Sequence, residues 1–187
     1  MGEVGKTGTT RMPNTFDVIG DVELYDNLVE VVKKAEEEYV RGERLNLYLA
    51  GPWFDTNSEL LYEAVSNIEG MVREHSFFNV FYPKFQISKT PKHAFINNVK
   101  HINEADVIVA LVSKKDVGTA WEIGMAYAQG KEVYLMGYDE TTFLSHTNVM
   151  LAFTGKCFTI DKWAKFLTHG LDANDYVHIP NKWEGIE

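Results

Sequence analysis

The chain has 187 residues, of which 45% are hydrophobic and 13% aromatic, and this composition excludes a disordered protein. Its formal net charge of −9 excludes nonspecific binding to a nucleic acid polymer or to an anionic membrane. A single cysteine, Cys157, excludes an internal disulfide, and no apolar run is long enough to span a membrane. Because the amino terminus also lacks the apolar core of a signal peptide, we expect a soluble, cytoplasmic protein.

The amino-terminal region precedes the first predicted strand. Residues 1–20 are rich in glycine and threonine, which predicts a flexible tail. Residues 21–40 place apolar side chains at helical spacing between glutamates and lysines, which predicts an extra amphipathic helix within an extension at 21–44. We expect residues 45–187 to form one domain with a hydrophobic core.

Strands and helices alternate along the rest of the chain. Apolar segments predict strands at 45–50, 77–82, 106–112, 132–136 and 156–160. Periodic apolar residues predict helices at about 55–74, 93–104 and 119–130, and a last helix that is capped by Asp161 and ends near Thr168. This alternation predicts an α/β fold, a flavodoxin-like or Rossmann-like open parallel sheet of about five strands with helices on both faces.

Two carboxylates, Asp116 and Glu122, follow the third predicted strand. The segment 119–122 fits the Thr-x-x-Glu capping box, which predicts a helix that begins at Thr119 with Glu122 in its first turn. Both carboxylates should therefore lie where the carboxyl end of a strand meets the amino end of a helix, and open α/β sheets bind ligands there. Taken alone, the segment equally allows a cap at Glu122 and a turn residue at Asp116 that serve structure only.

Other chemical motifs are absent from the sequence. The six histidines show no metal-binding spacing, and no glycine-rich dinucleotide loop, phosphate loop or serine nucleophile elbow occurs. We therefore expect neither a metal site nor an organic cofactor.

Three segments in this order resemble the nucleoside 2-deoxyribosyltransferase family. They are Leu-Tyr-Leu-Ala-Gly-Pro-Trp-Phe at 47–54, the apolar strand with its Asp-Val-Gly-Thr-Ala-Trp-Glu continuation at 106–126, and Asn-Val-Met at 148–150. The resemblance covers about residues 45–160. It implies an enzyme that transfers 2-deoxyribose from a deoxynucleoside donor to a nucleobase acceptor, through a covalent deoxyribosyl-glutamate and with retention of configuration.

The resemblance also implies roles for matching residues near the sugar. Glu122 corresponds to the catalytic nucleophile, and Tyr48 to a tyrosine whose hydroxyl holds that glutamate. Asp116 corresponds to the aspartate that binds the deoxyribose hydroxyls. Gly51 and Gly118 fall in the substrate-binding loops of the family.

Further matching residues concern the base and a second subunit. Trp53 and Phe54 correspond to aromatic residues that pack against the base. Asn148 and Met150 correspond to residues that reach the site of a neighbouring subunit. The resemblance therefore implies a homo-oligomer built from dimers, commonly a hexamer, with shared active sites.

Asn98 departs from the family pattern. The family usually has an aspartate here that hydrogen-bonds the leaving base and helps to protonate it, and an asparagine cannot deliver that proton. Either another group activates the base, or the preferred base differs, or the activity is changed. His101, one turn later, has the spacing of a replacement acid, although a helix histidine is more often simply packed or solvated.

Two other functions compete with sugar transfer. One is hydrolysis of deoxynucleosides or of deoxynucleoside 5′-monophosphates, and the other is a non-catalytic nucleoside-binding or nucleotide-binding domain. The loop at 53–58 holds an acid and no basic residue, which favours nucleosides over nucleotides. The joint presence of Tyr48, Asp116 and Glu122 argues against a binding domain without activity.

Overall fold

The computed structural model of the protein describes residues 29–30, 33–34, 36–37, 42–53, 59–85, 89–112, 115–140, 142–143 and 149–179. The described positions within the predicted amino-terminal helix are helical. The predicted tail at 1–20 lies outside the described residues, so the division of the chain at 20 and 44 stays a prediction.

Strands and helices alternate as the sequence predicts. The strands are β1 (Leu45–Ala50), β2 (Phe78–Phe81), β3 (Val107–Leu111), β4 (Glu132–Gly137) and β5 (Lys156–Thr159). The helices are α1 (Glu59–Val72), α2 (Pro91–Glu104), α3 (Val117–Ala128), α4 (Val149–Ala152) and α5 (Trp163–Thr168). Among the helices that the structure describes, none is long and apolar enough to cross a membrane.

The five strands form one parallel sheet in the order β2-β1-β3-β4-β5. This arrangement confirms the predicted α/β fold with an open parallel sheet. β3 is buried along its whole length, as expected for a central strand that is covered on both faces. The chain order reverses between β1 and β3, and the carboxyl ends of these two strands therefore border the crevice where such sheets bind ligands.

Side chains of β1 alternate between two hydrophobic layers. Leu47 and Leu49 pack with α1 and α5 on one face of the sheet. Tyr48 and Ala50 pack on the other face, with residues of α2 and α3. This alternation confirms helices on both faces, and it directs Tyr48 towards the helices that carry the candidate site.

Gly155 lies in the turn that leads into β5, and the space around it is closed. A Cβ atom at this position would lie 2.2 Å from the carbonyl oxygen of Val133. The turn brings the chain this close to β4 just before the pairing of Tyr134 with Lys156 begins. Only glycine permits this approach of two backbone segments.

The starts of α5 and α2 differ from the sequence prediction. The last helix is not capped by Asp161, because a 3₁₀ turn at Ile160–Lys162 precedes α5 and the side chain of Asp161 accepts a hydrogen bond from Thr159 instead. α2 begins at Pro91 rather than near 93, because the Thr90 hydroxyl accepts from the backbone of His93 at 3.2 Å and caps the helix.

Candidate active site

Three elements bring polar side chains together at the carboxyl end of β1. The hydroxyl of Tyr48, on β1, donates a hydrogen bond to Oε1 of Glu122, on α3, at 2.6 Å. The amide nitrogen of Asn98, on α2, donates to the same oxygen at 3.5 Å. The structure thus places one carboxylate oxygen between two donors from separate elements.

The carboxyl group of Glu122 is largely buried, and its pKa is raised. Burial raises the pKa of Glu122 to about 7, and the charge of Asp116 also raises it. The hydrogen bonds from Tyr48 and Asn98 act in the opposite direction because they stabilise the carboxylate. Near neutral pH the group therefore exists in both protonation states, so small changes in its surroundings alter its charge.

Tyr48 is held rigidly as a donor. Its side chain is 0% exposed, and burial and the neighbouring Glu122 raise the pKa of Tyr48 far above its usual range. Its ring stacks on Phe81 with 5.5 Å between centroids, and Phe81 stacks on His101 at 3.6 Å. Tyr48 therefore remains a neutral phenol that donates a hydrogen bond to the carboxylate.

Asp116 caps α3, and this corrects the predicted capping box. Its Oδ2 accepts from the backbone nitrogen of Thr119 at 2.6 Å and from the Thr119 hydroxyl at 2.8 Å. The helix begins at Val117, so Thr119 is not the cap and Glu122 lies in the second turn rather than the first. In the second turn the helix dipole stabilises the Glu122 carboxylate less than it would in the first turn, because that effect falls off within the first turn.

Gly118 lies beside this cap. A Cβ atom there would stand 3.1 Å from Oδ2 of Asp116, which is a tight contact. The glycine therefore leaves room for the carboxylate of Asp116 to fold back onto the helix. A substrate contact at Gly118 stays a prediction.

Trp53 lies in the core rather than on an open surface. Its ring is 2% exposed, packs edge-on against Tyr62 at 5.3 Å, and its indole nitrogen donates to the carbonyl of Leu49 at 2.9 Å. A Cβ atom on Gly51 would lie 2.5 Å from the Trp53 ring, so glycine at 51 allows the ring to fold back over β1. The packing of Trp53 against a base stays a prediction, and so does the role of Gly51 in substrate binding. Phe54 lies outside the described residues.

The remaining predicted site residues lie on α4, on α2 or outside the described structure. Met150 lies on α4 with its side chain 77% exposed, and Asn148 is outside the described residues. The ring of His101 stacks on Phe81, and its Nδ1 lies 3.8 Å from Glu104. Burial lowers the pKa of His101, although the carboxylate of Glu104 opposes this effect. His101 is thus engaged in packing, and its role as an acid stays a prediction.

Two features of this region were not identified from the sequence. Phe81 lies beneath Tyr48, and the parallel register that pairs them on β1 and β2 is the signal that would have revealed it. Phe95 and Trp121 form an exposed pair with centroids 5.6 Å apart where α2 meets α3. The spacing of apolar residues gave no sign of this pair because both side chains lie outside the core.

No group of three histidine, cysteine, aspartate or glutamate side chains is arranged to hold a metal ion within the described part of the chain. The site consists instead of one buried carboxylate, two donors on one of its oxygens, and a second carboxylate nearby. A carboxylate in this setting is suited to attack on, or stabilisation of, an electron-poor carbon.

Comparisons with known proteins agree with this description. A family model described as nucleoside 2-deoxyribosyltransferase matches residues 47–174, which is more than half of the chain and includes every residue around Glu122 named above. A comparison with curated proteins found no match.

Solved structures are also similar to this chain. A 2-deoxyribosyltransferase from the psychrotolerant bacterium Bacillus psychrosaccharolyticus has 25% identity and a TM-score of 0.53, over 69% of this chain and 93% of that one. A 2-deoxyribosyltransferase from Leishmania mexicana has 26% identity and a TM-score of 0.44, over 51% of this chain and 65% of that one, just under two thirds of its length. A conserved protein from Enterococcus faecalis V583 has 22% identity and a TM-score of 0.40, over 66% of this chain and 88% of that one.

Proposed function

The chain belongs to the nucleoside 2-deoxyribosyltransferase family of enzymes, and on this basis we propose that it transfers 2-deoxyribose from a deoxynucleoside to a nucleobase. The resemblance inferred from the sequence motifs is confirmed by the family match. The observation that carries the proposed mechanism is the largely buried carboxylate of Glu122, which the Tyr48 hydroxyl holds at 2.6 Å.

In the first step, the ionised carboxylate of Glu122 bonds to the anomeric carbon of the sugar. The N-glycosidic bond breaks, its electron pair leaves on the base nitrogen, and the base takes up a proton from water. The developing positive charge on the sugar is stabilised by the adjacent carboxylate before the ester forms.

In the second step, a nitrogen of the acceptor base attacks the anomeric carbon. The ester bond breaks, the carboxylate of Glu122 is regenerated, and the acceptor nitrogen loses its proton to water. Two inversions at the same carbon give net retention of configuration.

Asp116 would bind the sugar in both steps. Its carboxylate already accepts two hydrogen bonds from Thr119 through Oδ2, which fixes its orientation at the start of α3. A carboxylate has acceptor capacity for further hydroxyl donors, and the deoxyribose hydroxyls are such donors.

The test is an exchange assay. Thymidine or deoxyinosine is incubated with adenine, and deoxyadenosine is measured by chromatography. Transfer gives deoxyadenosine without free sugar, whereas free deoxyribose regardless of acceptor indicates hydrolysis. No turnover on deoxynucleosides and their 5′-monophosphates would favour a binding domain.

Substitution of the nucleophile tests the mechanism. Glu122→Ala is expected to lower turnover by more than about a thousandfold, because the covalent intermediate cannot form. Glu63→Gln on the exposed face of α1 is the control and should leave turnover unchanged. Wild-type rates in Glu122→Ala would contradict the proposed mechanism.

The exposed side chain of Met150 supports an oligomer with shared sites. Met150 is 77% exposed on α4, and Phe153, in the turn that follows, is 52% exposed. Two large apolar side chains in water at one place are typical of an interface. If Met150 reaches a neighbour's site, mixing Glu122→Ala with Met150→Glu should restore part of the activity that each variant lacks. Additive activities of the separate variants would contradict shared sites.

We also assign the protein to the cytoplasm. Cys157 is a buried thiol whose pKa burial raises to about 11, so it is an unreactive core residue that needs no oxidising compartment. Cell fractionation followed by immunodetection tests this location.

A further inference from the structure

We propose that Asn98 is a positioning residue that, with Tyr48, holds Oε1 of Glu122 and leaves Oε2 as the oxygen that bonds to the sugar. This inference rests on the proposed function, because it concerns the nucleophile of that reaction. It gives Asn98 a partner within the protein rather than on the leaving base.

The geometry distinguishes the two oxygens of Glu122. Tyr48 donates to Oε1 at 2.6 Å and Asn98 donates to Oε1 at 3.5 Å. A carboxylate held through one oxygen keeps its second oxygen available for bond formation. Oε2 then forms the bond to the anomeric carbon while the glycosidic bond breaks and its electron pair leaves on the base nitrogen.

The three side chains come from three elements, which fixes the carboxylate in space. Tyr48 lies on the inner strand β1, and its ring is fixed by the stack on Phe81. Asn98 lies on α2, and Glu122 on α3. The orientation of the Glu122 carboxylate therefore depends on how α2 and α3 pack over β1. The hydrogen bond from Asn98 is the contact through which the position of α2 affects that orientation.

An amide has a property here that a carboxyl group lacks. The Asn98 side chain donates a hydrogen bond at every pH, because its NH₂ group does not titrate in this range. An aspartate at this position would donate only when protonated, and when ionised it would repel the carboxylate of Glu122. The asparagine thus supports the ionised nucleophile near neutral pH without adding a charge.

Because of the groups around Glu122, its pKa should respond to loss of the hydrogen bond from Asn98. From its own helix it faces the carboxylate of Asp116, and from β1 the neutral phenol of Tyr48. On α2, His101 stacks on Phe81, and burial lowers the pKa of His101. Among the described residues, the groups that shift the pKa of Glu122 are Tyr48, Asp116 and Asn98, and none of them is a cation.

The test uses Asn98→Ala and Asn98→Asp in the full chain, with Asn103→Asp as the control. Asn103 lies at the far end of α2, where its side chain accepts from Gln129 at 2.8 Å, so the control adds the same charge to the same helix. Two measurements are made on each variant. One is the pH dependence of kcat/KM for exchange, and the other is the ¹³C titration of the Glu122 carboxyl carbon, assigned by its absence in Glu122→Gln.

We expect the midpoint for ionisation of Glu122 to move to higher pH in Asn98→Ala and further in Asn98→Asp. Below the wild-type midpoint, kcat/KM should fall by about twofold to tenfold in Asn98→Ala, because the lost hydrogen bond is long at 3.5 Å. Asn103→Asp should match the wild type in both measurements. An unchanged ¹³C titration in both Asn98 variants would overturn the proposal, as would the same shift in Asn103→Asp.

The two measurements separate this inference from the proposed function. If the wild type shows no exchange, the proposed function fails, while the ¹³C titration still reports whether Asn98 acts on Glu122. Thermal melting confirms that each variant is folded, and Asn98→Ser serves as a second small substitution if Asn98→Ala unfolds.

The choice of oxygen has its own readout. A nucleoside with a 2-fluoro sugar is the probe. Fluorine destabilises the positive charge that develops at the anomeric carbon, so cleavage of the ester between the sugar and Glu122 is slowed and the ester can be trapped. In a crystal structure of that ester, the carbonyl oxygen should accept from Tyr48 and Asn98, and the sugar should be attached to the other oxygen. A sugar attached to the oxygen that contacts Tyr48 would overturn the assignment.

Discussion

At the scale of single residues, Glu122 is subject to opposite requirements for stability and for activity. Its pKa of about 7 in the fold lies above its ordinary value of 4.5, so folding favours the protonated form. The stability contributed by protonated Glu122 is complete below its ordinary pKa and is lost as the pH rises through about 7. The proposed nucleophile is the ionised form, so activity should rise over the range in which stability falls.

Glu122→Gln should therefore stabilise the protein at high pH. The glutamine keeps the shape of the side chain and cannot ionise, so its advantage over the wild type should grow by about 3 kcal/mol between pH 5 and pH 9. Urea unfolding at the two pH values measures this difference, with Glu63→Gln as the exposed control. A stability advantage of equal size at both pH values would contradict a raised pKa for the buried carboxyl group of Glu122.

Tyr48→Phe should impair activity in a pH-dependent manner. Loss of the 2.6 Å hydrogen bond removes a stabilisation of the carboxylate, so the pKa of Glu122 should rise and the acid limb of kcat/KM should move to higher pH. At pH 6 the loss should be about tenfold to a hundredfold, the value of a hydrogen bond to a charged group. Tyr134→Phe is a matched control, because that hydroxyl donates to Glu132 at 2.5 Å outside the site. A uniform loss at all pH values would indicate a role in packing alone.

At the scale of elements, the start of α3 has two functions that can be separated. Asp116→Asn keeps an oxygen that can cap Thr119 but lacks the negative charge, so we expect near wild-type melting and a raised KM for the nucleoside. Asp116→Ala loses the cap as well and should cost about 1 kcal/mol of stability. Melting curves and Michaelis constants for both variants test this division. Equal KM values in the wild type and Asp116→Asn would remove Asp116 from sugar binding.

The strands show where sequence reasoning succeeded, and the start of α3 shows where it could not decide. Apolar runs predicted β1 at its observed bounds and placed the other strands within a few residues, because buried strands require such runs. The cap of α3 was misplaced, since Asp116 and Thr119 are both good capping residues. The choice between them depends on which backbone N–H group a side chain reaches, and in the structure the Asp116 carboxylate reaches that of Thr119.

At the scale of the whole molecule, the order of the strands brings together site residues that are far apart in the sequence. Tyr48 and Glu122 are separated by 74 positions, and Asn98 and Glu122 by 24. Alternating strands and helices predicted a parallel sheet, but several strand orders share that alternation. The proximity of Tyr48 and Glu122 was accessible only through resemblance to the family. The donor contact of Asn98 was not, because an asparagine is unusual at that position in the family.

The backbone contact at Gly155 has a consequence for mutational tolerance. Because a Cβ would meet the Val133 carbonyl oxygen at 2.2 Å, Gly155→Ala should destabilise the fold by about 1–3 kcal/mol or more. In a saturation mutagenesis survey scored by activity, positions 155 and 122 should be similarly intolerant. Scored by cellular abundance they should separate, with variants at 122 abundant and inactive and variants at 155 depleted. Equal abundance of Gly155→Ala and the wild type would contradict this, and the contrast offers a way to distinguish architectural from chemical constraint in this family.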